Sequence, residues 1–380
     1  MSNTSQTDTA AQAPGRIAVA FAALDPYVEI NIPKPVERRW SGDMVRWGAD
    51  NRYPWFLLDL YETSATLRTV IDGCVDFIAG DAVFFNGDMD APLNRYGDTG
   101  RDIVRGCARD LKRTGGFALQ VIRNNQGDIA EVYHLDMRFV RCNADADVFY
   151  YSEKWGRSNA KPETYPAFLP GLKDKWATLT PEERDRHASS IYYYREDRTH
   201  VYPTPCYIAS IPAAVTERNI DDFHLNSLEN GFMSSAIINF YNGIPTDQEK
   251  EDMERNVNEK LCGHQNAARI MLNFADSRQN GADIKEFKIE DFGERYKALE
   301  KTSKQKIFTA FRAIPALFGI NPENTGFSET EYAEAFKLFN RTQIQPAQRS
   351  ITDAFRRIYG EPVLTIRPFS LEGNIEDNVS

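Results

Sequence analysis

The sequence predicts an α+β fold, and three observations carry that prediction. Segments with apolar residues three and four apart alternate with short runs rich in β-branched and aromatic residues. Two long segments of helical period, residues 211–228 and 289–314, flank a compact stretch of about one β-α-β unit. The apolar content is 42% over 380 residues, enough for two or three domains with a substantial core.

Residues 1–17 are Ser-, Thr-, Gln- and Ala-rich and read as a flexible tail with no secretory leader, which makes the cytoplasm the expected compartment. Residues 18–21 and 28–32 read as short strands or extended arms, which Pro33 and Pro35 discourage from continuing. One helix is expected from Tyr53 to Gly80. Pro54 lies in its first turn, and Leu57, Leu60, Tyr61, Leu67, Val70, Ile71, Val75 and Ile78 form a broad apolar face. A strand over 83–85, a helix over 100–114 and a hairpin of 115–123 with 129–135 follow, the hairpin turning at Asn124 to Asp128. The run 134–141 reads as a strand in which Arg138 and Arg141 are solvated positions rather than nucleic-acid contacts. Strands over 149–155 and 191–194 bracket a polar surface excursion that contains a helix start at Thr180-Pro181-Glu182-Glu183.

The central stretch is the most legible. Residues 232–240 have strand composition, and Asn242-Gly243 makes a turn. Thr246 to Glu249 has capping-box spacing ahead of Met253, Val257 and Leu261, Gly263 suits a helix end, and residues 268–274 read as a second strand. In the second long helix the wholly polar run 300–306 is expected to be exposed or packed on another subunit. Beyond Gly319 comes a turn-rich loop, then an amphipathic helix opening at Ser328-Glu329-Thr330-Glu331, which Pro346 should kink before it resumes to Gly360. A last strand covers 363–366.

The order of these signals, Tyr202-Pro203-x-Pro205, Asn230-Gly231-Phe232, Asn242-Gly243, Gly263 with Asn266-Ala267, then Ile314-Pro315-Ala316-Leu317-Phe318-Gly319-Ile320, resembles the portal (head-to-tail connector) proteins of tailed bacteriophages from Tyr53 to Tyr359. The resemblance implies a portal-like fold: α/β wing, two-helix stem, small α/β clip and kinked tunnel helix. It places the wing at 18–206, the stem helices at 207–231 and 289–315, and the clip at 232–288. The tunnel loop falls at 316–328, the tunnel helix and its successor at 329–360, and a last wing strand and tail at 361–380. It further implies a ring of about twelve subunits. The partners it implies are the terminase large subunit, the major capsid protein, head-completion adaptors and duplex DNA passing without sequence specificity. By the same resemblance Asn321, Asn324, Thr325 and Ser328 face the DNA, and Ile237, Ile238, Phe240 and Asn242 serve clip contacts between subunits and terminase docking. Phe292, Tyr296, Leu299 and Lys304 belong to the stem.

The formal charge of −10 argues against tight gripping of nucleic acid. In a ring of about twelve it would total about −120 and let a polyanion slide; it is also ordinary for solubility. No apolar run approaches the ~20 residues of a membrane helix. Five dispersed cysteines without a C-x-x-C pair read as buried reduced thiols, and the five histidines lack metal spacing, so neither metal nor cofactor is expected. No P-loop sequence occurs. The enzymatic alternative is a metal-dependent nuclease using Asp276, Glu286 and Lys288, and the structural alternative is a capsid scaffold or adaptor without a DNA channel.

Overall fold

The computed structural model describes residues 18–22, 32–39, 43–157, 161–229, 236–240, 245–246, 248–249, 251–253, 270–274, 290–320 and 329–370. The chain divides into two compact units, one of Met1–Asn31 with Asn219–Ala298, the other of Ile32–Arg218 with Leu299–Ser380.

In the first unit, β1 (Ala18–Ala22) runs antiparallel to a strand that is itself parallel to a third. The sheet order is β1-β12-β11, with β11 at Ala236–Phe240 and β12 at Ile270–Phe274. Parallel pairing of β11 with β12 is what the β-α-β reading requires. The helix start between them is capped as expected: the Thr246 amide donates to Glu249 Oε2 at 2.9 Å and the Glu249 amide to Thr246 Oγ1 at 3.4 Å. One expectation fails here. Residues 18–21 were grouped with the wing, yet β1 pairs with β12, because a two-stranded parallel sheet leaves the β12 edge open to a further strand.

In the second unit, β2 (Glu37–Arg39) and β3 (Val45–Trp47) form a short hairpin. The expected single helix is two, α1 (Tyr53–Thr63) and α2 (Ala65–Ala79). Ser64 divides them by taking extended backbone and accepting the Leu67 amide at 3.2 Å, which caps α2. Strand β4 (Ala82–Phe85) pairs antiparallel with the last strand, β13 (Leu364–Arg367), so the C-terminal segment closes onto the N-terminal half. Helix α3 (Gly100–Thr114) opens with the Thr99/Asp102 capping box and ends at Gly115, which has a φ of +90° and where a Cβ would clash with the Thr204 carbonyl oxygen.

Strand β5 (Gly116–Arg123) runs between β6 (Ile129–Leu135) and β10 (Ser189–Arg195). The expected 134–141 strand is interrupted at Asp136 to Phe139, and pairing resumes in β7 (Val140–Cys142), β8 (Val148–Tyr151) and β9 (Glu163–Pro166). The 156–190 segment is therefore more than a surface excursion. It supplies β9, the short α4 (Leu172–Lys175), α5 (Pro181–Ala188) with its predicted Thr180 cap, and the buried rings of Phe168 and Trp176. Tyr202 stacks on Trp47 at 4.6 Å, its hydroxyl donates to the Val45 carbonyl, and the Cys142 amide donates to that hydroxyl at 3.1 Å, joining β3 to β7. Cys74, Cys107 and Cys142 are buried as expected, whereas Cys206 is exposed. Cys262 lies outside the described residues.

Helix α6 (Ile211–Glu229) and helix α7 (Glu290–Ala310) are the two long helices foreseen around the insert, and the boundary between the units falls within each. After a 3₁₀ turn at Pro315–Phe318 come α8 (Glu329–Phe339), a π-helical segment Asn340–Ile344 and α9 (Gln345–Tyr359). The π segment has a sequence cause. The buried positions run Phe336, Phe339, Ile344, Ala347 and Ile351, and the five-residue step from 339 to 344 cannot stay on one face of an α-helix. Pro346 adds to this, since its ring would clash with the carbonyl of Thr342 in continuous α-helix. Among the described residues no helix is long and apolar enough to cross a membrane.

Candidate functional site

The element ends that flank residues 321–328 converge on one aromatic cluster. Phe77 of α2 sits 6.0 Å from Phe318, 5.7 Å from Phe336, 6.1 Å from Phe339 and 5.3 Å from Phe369, in tilted or edge-to-face geometry. Phe318 also meets Phe308 of α7 and Phe339 of α8, each at 5.8 Å. Such pairs contribute about 0.5–1.5 kcal/mol each beyond area burial. The chain entering the 321–328 segment and the chain leaving it are thus held by the same packed rings.

The foot of α6 is fixed just as firmly. Glu217 is buried and accepts from the hydroxyls of Ser64 and Thr66, the latter at 2.5 Å, at the N-terminus of α2. A carboxylate suits that place because unpaired amides and the helix dipole meet there. Arg218 pairs with Asp59 at 3.0 Å. Tyr207 stacks on Phe311 at 5.4 Å and donates to the Arg113 carbonyl at 2.9 Å, while Ser210 donates to the Lys306 carbonyl at 3.0 Å. Within the other unit, Phe223 stacks on Tyr296 at 5.0 Å, and Phe223 and Leu225 remain exposed.

Two further clusters around buried charges were not foreseen. Arg141, expected to be a solvated strand position, is 0% exposed. Its Nε donates to Asn51 Oδ1 at 2.5 Å, its Nη2 to the Asn51 carbonyl at 2.7 Å, and the rings of Trp47, Trp55 and Trp155 surround it at 5.3–5.7 Å. Burial pushes its guanidinium down to about 10. Asp110, on the inner face of α3, holds Arg113 at 2.5 Å and His134 Nε2 at 2.9 Å, and accepts the Met137 amide at 3.1 Å. Burial raises its carboxyl, but Arg113, His134 and that amide together outweigh burial and leave it below the usual range. The Arg141 cluster ties β7 to β3 and α1, and the Asp110 cluster ties α3 to β6. Arg138 is half-buried and pairs with Asp136 at 2.8 Å.

No protein-family model matches the chain. The probable portal protein of Haemophilus phage HP1 (strain HP1c1) is 23% identical over 261 residues, 67% of this chain and 68% of that one. By sequence, the chain resembles phage portal proteins. Solved structures show the fold. A chain from the neck of an empty GTA (gene transfer agent) particle, computed with C6 symmetry, matches with a TM-score of 0.52 at 16% identity, covering 88% of both chains. Another from the neck of the native particle, computed with C12 symmetry, gives 0.51 at 15%, covering 83% of this chain and 84% of that one.

Of the residues assigned by likeness to the portal stem, Tyr296 stacks on Phe223, Leu299 is 49% exposed and Lys304 pairs with Glu300 at 2.6 Å. Within the polar run 300–306, expected to be exposed or packed on another subunit, Ser303 is already buried in the chain's own unit. Ile237, Ile238 and Phe240 lie on β11, paired in register with Met271, Leu272 and Phe274. The side chain of Phe292 and the residues Asn242, Asn321, Asn324, Thr325 and Ser328 lie outside what is described, as do Asp276, Glu286 and Lys288. Among the described residues no group of three metal-binding side chains occurs.

Proposed function

We propose that the chain is the subunit of a phage portal: about twelve copies close into a ring at one capsid vertex, and duplex DNA passes through the ring during packaging and ejection. The observation that carries this reading is the sequence likeness to a portal protein over 261 residues in a chain whose fold matches neck chains. The ring supports the terminase large subunit and later the head-completion adaptors, with the major capsid protein around it. Assembly takes place in the host cytoplasm and the product resides in the virion.

The role is geometric and electrostatic rather than catalytic. Residues 321–328 are Asn, Pro, Glu, Asn, Thr, Gly, Phe and Ser, so Asn321, Asn324, Thr325 and Ser328 offer a passing duplex neutral groups that make weak, exchangeable phosphate contacts. Anchoring both flanks in the Phe77 cluster gives such a loop a rigid mount. A net charge of −10 per copy keeps the polyanion from sticking.

The test is the native mass of purified protein with negative-stain imaging, beside a Mg²⁺-dependent DNA cleavage assay. Rings of about twelve with a hole wide enough for duplex DNA, and no cleavage, are the expected result. A small oligomer that cuts DNA, and stops when Glu286 or Lys288 is replaced, overturns it in favour of the nuclease.

A further inference from the structure

In a chain of net charge −10, the stretch from Ala335 to Arg357 runs the other way. It carries Lys337, Arg341, Arg349, Arg356 and Arg357 against one carboxylate, Asp353, a net of +4. The geometry gathers three of these on one line. Arg341, Gln345, Arg349, Thr352 and Arg356 are spaced four, four, three and four apart across the π segment and α9. They lie opposite the buried face made by Ala347, Ile351, Ala354, Phe355 and Ile358. The three arginines and Gln345 are exposed and Thr352 is half-buried. Asp353 stands beside Arg356 at 2.8 Å, both about half exposed.

This face sits on a rigid support. Gln348 donates to the Ile78 carbonyl at 3.0 Å and Ser350 shares a hydrogen bond with Tyr194 at 2.8 Å, on top of the packed face of α9. At 1.5 Å per residue the line from Arg341 to Arg356 is about 22 Å long, roughly two thirds of a turn of B-DNA. It carries no large apolar side chain, which an interface between protein copies needs at its centre. Guanidinium, amide and hydroxyl groups on a stiff rod are what a phosphate backbone takes.

We propose that the Arg341–Arg349–Arg356 stripe is a sequence-independent contact to the phosphate backbone of duplex DNA. It rests on the reading that duplex DNA meets this protein, and it identifies a cationic surface apart from residues 321–328. The attraction is of the counterion-release kind, so it is strong at low salt and lost at high salt without any base being read.

The experiment compares wild type with the triple variant R341Q/R349Q/R356Q and with R341K/R349K/R356K. Binding of a short random-sequence duplex is measured from about 50 to 200 mM salt, with native mass recorded in parallel. The glutamine variant is expected to lower the log-log salt slope by about three, shrinking the wild-type advantage about 40-fold between those two salts, while the lysine variant keeps the wild-type slope. Three results overturn the proposal: no duplex binding by wild type at about 50 mM salt, an unchanged slope in the glutamine variant, or equal loss with lysine. Loss of rings in the glutamine variant with an unchanged slope would reassign the stripe to contact between copies. Rings with an unchanged slope leave the portal reading standing without the stripe. Absence of wild-type rings with a slope that falls as expected does the reverse.

Discussion

Phe318 lies against the bare backbone of Gly73, so closely that a methyl group at position 73 would stand 2.6 Å from two of its ring carbons. The contact lets the 3₁₀ turn reach α2, so that Phe318 can join Phe77, Phe308 and Phe339. The 3₁₀ turn that precedes residue 321 is thereby fixed.

Gly73→Ala tests that approach. Alanine in a helix interior ordinarily gains about 1 kcal/mol over glycine, but here it must displace Phe318, and overpacking costs about 1–3 kcal/mol. The net expectation is a lower thermal midpoint. A raised midpoint, read by calorimetry, would mean that the ring moves aside freely and does not fix the turn.

Asp110 should make the protein acid-sensitive. Arg113, His134 and the Met137 amide hold its folded carboxyl below its unfolded value despite burial. Its contribution is therefore complete above the unfolded pKa of about 3.9 and is lost as pH falls through the lower folded value. Asp110→Asn is expected to cost about 3–5 kcal/mol near neutrality, since it leaves Arg113 buried without its closest partner. Urea unfolding at a series of pH values should show the gap from wild type closing below about pH 4. A gap independent of pH would count against the charge pairing.

The π segment makes an unusual deletion tolerable. Removing Thr342, an exposed residue, converts the five-residue step between Phe339 and Ile344 into the four-residue step of an α-helix. Both buried faces then stay aligned, so the loss should be confined to the clash of the Pro346 ring with the carbonyl then four residues before it, about 3 kcal/mol, and the helix should persist. Removing Arg349, which is equally exposed, turns one face of α9 by about 100° and should unfold that helix. Similar losses from the two deletions would refute the packing origin of the π turn.

For the ring, Ile238→Asp on β11 is the informative change. If that strand meets a neighbouring subunit, native mass should show folded monomers that do not close. Ordinary rings from this variant would remove the assignment of β11 to subunit contacts.

Most of the secondary structure was legible because it rests on local rules. The capping residues Thr180 and Thr246, the apolar spacing of α3 and α9, and the strand composition around Ile238 and Leu272 act within a few residues of themselves. The π turn is written locally as well, in the five-residue step from Phe339 to Ile344.

The sequence by itself determined the element types, the compact insert between two long helices, the absence of a P-loop and the likeness to portals. Tertiary structure alone decided that β1 joins the sheet of β12, that Arg141 is enclosed by three tryptophans, and that Ser64 splits one expected helix to meet Glu217. Each of those depends on a partner far away in the chain, 153 residues in the case of Ser64 and Glu217. A strand edge, a buried guanidinium or a capped carboxylate is stabilised only once its distant partner has removed it from water, and no local pattern records that partner.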